Sequence, residues 1–125
     1  MIHNSKIVKF FNWLLVFLWA SLIFFLSSRP DLKSSLPTSI DFVLRKIAHM
    51  TEYGILFFLF FRALRGHSMD FKKAVRLSFA FSILYAISDE YHQTFVFGRM
   101  GALRDVLIDT AGMVLAMIIL KRRSK

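Results

Sequence analysis

Two short spacings carry most of the chemistry available to this chain: His49-x-x-Glu52 and Asp89-x-x-His92. Residues three apart share a helical face, so each spacing sets an imidazole beside a carboxylate. The carboxylate can orient the ring, and the ring can then give or take a proton. Glu90 adjoins the second pair and Asp109 lies downstream, so His49, Glu52, Asp89, Glu90, His92 and Asp109 form the candidate acid–base set. Arg45, Lys46, Arg99 and Arg104 could bind an anion, the guanidinium being suited to two-point contact with phosphate. Tyr53, Gln93 and Asp105 complete the candidate ligand-binding set. His49, Glu52, Asp89 and His92 are also the residues that could hold a divalent metal, as carboxylates and histidines do in helical bundles. No HExxH motif is present, and the absence of cysteine excludes disulfides, thiolate metal sites and cysteine nucleophiles.

Plainer readings stand beside these. His49 and Glu52 can be a hydrogen-bonded pair within one helix. Arg45 and Lys46 can be interfacial anchors whose long stems reach water. Arg99 and Arg104 can be solvated in a loop, and His3 and His67 carry no signal.

The elements that must position these residues are apolar runs. Of 125 residues, 56% are hydrophobic, 20% are charged and 15 are Phe; mean hydropathy is +0.53. That is too apolar for a soluble domain of this size, and the length allows one domain. Residues 7–26 are long enough to cross a bilayer core of about 30 Å. A cleaved signal peptide is the competing reading, disfavoured by the length of the run and by the lack of a small-x-small site before Arg29 and Pro30. Three further runs cover about 46–64, 77–93 and 103–120, separated by Ser/Thr/Pro-, charge- and Gly-containing stretches. The pattern predicts an all-α, small polytopic membrane protein. It has four transmembrane helices in an antiparallel bundle, forming one domain over residues 1–125.

Charge sorted by side refines this. The net charge of +9 comes from 17 Lys and Arg against 8 Asp and Glu. Eleven of the bases flank the two ends and the stretch around residues 62–76, and six lie on the other side. Basic flanks mark the cytoplasmic side, so both termini are expected there, and the positive charge is a topology signal with no nucleic-acid partner implied. Five acids, Glu52, Asp89, Glu90, Asp105 and Asp109, instead fall at or inside the outer ends of the last three helices. A mid-membrane carboxylate costs about 2.5–3.5 kcal/mol on insertion scales, so such residues normally face a protein interior or a wet cavity. Helical spacing gathers them further. Arg45, His49 and Glu52 form one stripe; Tyr85, Asp89, His92 and Gln93 a second; Asp105, Asp109 and Gly112 a third. Gly112 and Ala116 make a small-xxx-small ridge suited to close helix packing. The phenylalanine runs at 57–61 and 79–81 read as lipid-facing or packing surface.

The same residues resemble a known family. Arg45-Lys46-Ile47-Ala48-His49-Met50-Thr51-Glu52-Tyr53 is similar to the RKxxHxxEY signature of VanZ-like bacterial membrane proteins. Ser88 to Phe95 with Gly98-Arg99 resembles their SDExHQxF element and downstream GR, and Arg104 to Gly112 resembles RDxxx(N/D)xxG. Phe97 departs from the pattern, which often has proline there. The resemblance implies a multi-pass protein of the bacterial plasma membrane, an envelope context, and an association with resistance to the glycopeptide teicoplanin. It supplies no reaction.

Three functions follow as expectations. One is an enzyme or binding protein for an anionic lipid or lipid-linked envelope intermediate at the outer leaflet. The second is non-enzymatic lipid binding, transport or proton relay, which four helices would need an oligomer to support. The third is a structural membrane subunit held by buried ion pairs. Whether a bond is broken, and whether a divalent metal takes part, stays open on the residues alone.

Overall fold

A computed structural model describes residues 5–27, 38–93 and 103–123. They form four α-helices: α1 (Ser5–Ser27), α2 (Thr38–Arg65), α3 (Phe71–Gln93) and α4 (Leu103–Arg123). No strand occurs among the described residues. α1 contains neither glycine nor proline, so nothing in it interrupts the helical hydrogen bonds.

Two helices start earlier than their apolar runs. α2 begins at Thr38, eight residues before 46, because no glycine or proline interrupts residues 38–53. α3 begins at Phe71, ahead of 77. Its first turn buries Ala74 and Val75 and leaves Lys72, Lys73 and Arg76 exposed, so charge marks the outer face of a helix and not a loop. The Ala74 amide donates to the Asp70 carbonyl at 2.9 Å, closing that turn.

Only residues 66–70 separate α2 from α3. The amides of His67 and Ser68 donate to the carbonyls of Leu64 and Arg65, each at 3.0 Å, and Ser68 reverses the chain at φ 63°. α1 braces this corner. Trp13 Nε1 donates to His67 Nε2 at 2.8 Å, and the buried Asn12 side chain lies against Gly66. His67 therefore has a structural partner that its surroundings in the sequence do not suggest.

α2 is the hub. It packs against α1, α3 and α4, most extensively against α4, and contributes Tyr53, Leu56 and Phe57 to the core. α3 meets the interior with buried Ala74, Ser78, Ser82 and Ala86, a stripe of small side chains at four-residue spacing. The contact of α2 with α4 is a backbone contact. A Cβ on Gly54 would stand 3.2 Å from the Gly112 carbonyl oxygen, and a Cβ on Gly112 would collide with the Met50 carbonyl. Gly112 of the expected ridge thus meets a second small residue, Gly54, on the facing helix.

Among the described residues, two helices are long and apolar enough to cross a membrane, within Lys6–Leu26 and Val43–Arg65. α1 leaves Phe10, Phe11, Phe17 and Leu18 exposed, an apolar surface that lipid would cover and water would not favour. The phenylalanines of α2 divide: Phe57 and Phe61 are buried, and Phe58 is exposed.

Gly112→Ala should overpack the α2–α4 crossing and cost roughly 1–3 kcal/mol. Thermal unfolding in detergent checks this; unfolding at the wild-type temperature would mean that the two backbones do not meet.

Candidate functional site

The polar residues collect where α2 is crossed by both α3 and α4. His49 and Tyr53, one turn apart on α2, each reach an acid on a different helix. Tyr53 Oη donates to Asp89 Oδ2 of α3 at 3.0 Å, and both residues are buried, at 0% and 4% exposure. His49 Nδ1 lies 3.3 Å from Asp109 Oδ1 of α4. The Asp109 side chain is 3% exposed and the His49 side chain 23%, so the imidazole reaches from a buried carboxylate toward the surface. The candidate residues Tyr53, Asp89, His49 and Asp109 thus come together across three helices. The acid shown beside His49 is on another helix, Asp109 of α4.

α1 closes the near side. Trp19 Nε1 donates to the Glu52 carbonyl at 2.9 Å, and Tyr85 Oη donates to the Ala20 carbonyl. His92 stacks on Phe24, with ring centroids 4.2 Å apart and planes at 25°. Its Nε2 is buried and finds no hydrogen-bond partner among the described residues. The Tyr53 and Tyr85 rings approach to 6.3 Å. Tyr85 belongs to the expected stripe with Asp89 and His92; Trp19 and Phe24 are the supporting residues that spacing does not single out. The only signal for Trp19 is chemical, since a buried Trp N–H usually finds an acceptor.

Arg45 and Lys46 are half-buried, one turn before His49 toward the start of α2; Glu52 and Glu90 are also half-buried. Gln93, Arg104 and Asp105 belong to α3 and α4, but their side chains lie outside the described residues, as do Arg99 and Phe97 altogether. Among the described residues, no three His, Asp or Glu side chains gather as a metal-binding group, so His49, Glu52, Asp89 and His92 do not form one ligand set.

The arrangement can do two things chemically. A carboxylate-held imidazole can move a proton at its outward edge. A tyrosine donating to a second carboxylate fixes α3 against α2 and keeps that acid's oxygen in place. Interhelical hydrogen bonds inside membranes average about 0.6 kcal/mol and reach about 1.7 kcal/mol. A double-mutant cycle of Tyr53→Phe with Asp89→Asn, read by unfolding in detergent, should give a coupling within that range; strictly additive effects would break the pair.

A family model described as VanZ/LLP1 matches residues 8–123, nearly the whole chain. No curated protein and no solved structure matches it. The matched span takes in the RKxxHxxEY, SDExHQxF and RDxxx(N/D)xxG-like elements that supply the Tyr53–Asp89 and His49–Asp109 contacts. The chain belongs to the VanZ/LLP1 family and is a helical membrane protein of that type.

Proposed function

We propose that the chain is a four-span envelope protein with both termini in the cytoplasm, whose outward-facing polar site binds the head group of an anionic lipid or lipid-linked envelope intermediate. The observation that carries this reading is the His49–Asp109 contact: a nearly buried carboxylate behind a partly exposed imidazole, 3.3 Å apart. A purely structural ion pair has no need of an open side. Arg45 and Lys46 lie one turn farther toward the start of α2, where they can meet phosphate oxygens. His49 is then the group placed to exchange a proton with the bound head group, and Asp109 positions it. Tyr53 and Asp89 hold α2 and α3 in register behind it.

The alternative, a scaffold held by buried pairs, predicts that substitutions here act through folding alone. Family membership makes teicoplanin tolerance the natural phenotype to measure. Arg45→Ala should fold as wild type does, lose teicoplanin protection, and carry about tenfold less of one lipid species in mass spectra of the purified protein. His49→Ala should retain that lipid and lose protection. Loss of expression in both variants together with unchanged lipid content would favour the scaffold.

A further inference from the structure

The opposite face of the α2–α4 pair carries a second feature. Gly54, Gly112 and Ala116 remove side-chain volume from the helix crossing, and the larger residues beside them stand up as walls. The result is an open groove of about 790 Å³, walled by Ile55, Phe58, Leu115 and Ile119. It is almost wholly apolar, and its one charged lining residue is Arg123, at the end of α4. On α2 the groove residues follow one helical face through Gly54 and Phe58. The same face reaches exposed Arg62 four residues later. His49 lies on the other side of α2, roughly 140–180° around the helix from Gly54 and Phe58, so the groove and the polar site are separate.

From Gly112 to Arg123 the groove runs about 16 Å along α4, close to half of a hydrocarbon core about 30 Å thick. It therefore has the length of one leaflet, an apolar bed along it, and cations at the end that also carries the chain termini. A second copy would bring to that end mainly further bases, Lys72, Lys121 and Arg122 among them, against one acid, Asp70. A flexible acyl chain fits the cleft, and a phosphate answers the cations.

We propose that this groove seats one acyl chain of an anionic glycerophospholipid from the leaflet at the terminal end, with its phosphate held by Arg62 and Arg123. The site is independent of the ligand assigned to His49 and Arg45.

The test is native mass spectrometry of the full chain after exchange into micelles doped with phosphatidylglycerol or with phosphatidylcholine. Wild type should retain one phosphatidylglycerol per chain, at least tenfold more than phosphatidylcholine. R62Q/R123Q should abolish that preference. Ile55→Trp with Ile119→Trp, both at exposed groove walls, should remove the lipid altogether, and Leu84→Trp on exposed α3 surface should leave it unchanged. Arg45→Ala and His49→Ala should also leave it unchanged, which separates this site from the polar one. Equal retention of both lipids, retention in the wall-filled variant, or a dimer whose copies crosslink between positions 55 and 119 would overturn the proposal.

Discussion

Asp89 and Asp109 are almost stripped of solvent among helices whose other surfaces are largely apolar, and the rest of the structure depends on accommodating them. A buried carboxylate without partners is expensive enough that it would stay neutral or open the fold. Each acid meets a side chain from α2: Tyr53 donates to Asp89, and His49 stands beside Asp109. Because those two residues are one turn apart, α3 and α4 are fixed at neighbouring levels on one helix.

That demand explains the small residues. A histidine on α2 reaches an aspartate on α4 only if the two backbones come close, and Gly54 and Gly112 permit it where any Cβ would intrude. The buried Ala74, Ser78, Ser82 and Ala86 stripe gives α3 a low-relief face leading up to Asp89. α1 then covers the near side, with Trp19 donating to the Glu52 carbonyl, Tyr85 donating to the Ala20 carbonyl and Phe24 lying against His92. The same glycines that allow the polar contact leave a cleft on the far side. A single packing choice thus creates both the site and the groove.

Much of this was legible in the residues. The unusual burial cost of five acids at one end identified the region, and helical spacing placed His49, Asp89 and Asp109 on inward stripes. Gly112 announced a close approach. Spacing within one helix could set Glu52 beside His49 but could not find Asp109, because that contact depends on the rotation of α4 about its axis. Trp13–His67 and Trp19–Glu52 were equally out of reach, being contacts between residues 54 and 33 positions apart. A helix extends beyond its apolar run where charge lies on an exposed face, as at Lys72 and Lys73, since hydropathy falls there although the helix continues.

The central claim is that the polar cluster opens toward the outside of the cell while the α2–α3 corner faces the cytoplasm. The chain has no cysteine, so single thiols can be placed without background. Ala48→Cys, exposed beside His49, and Lys72→Cys, exposed at the start of α3, can each be treated in intact cells with a membrane-impermeant maleimide. Labelling at position 48 in intact cells, with position 72 reacting only after permeabilisation, is the predicted result. The reverse pattern would place the site on the cytoplasmic side and contradict the account.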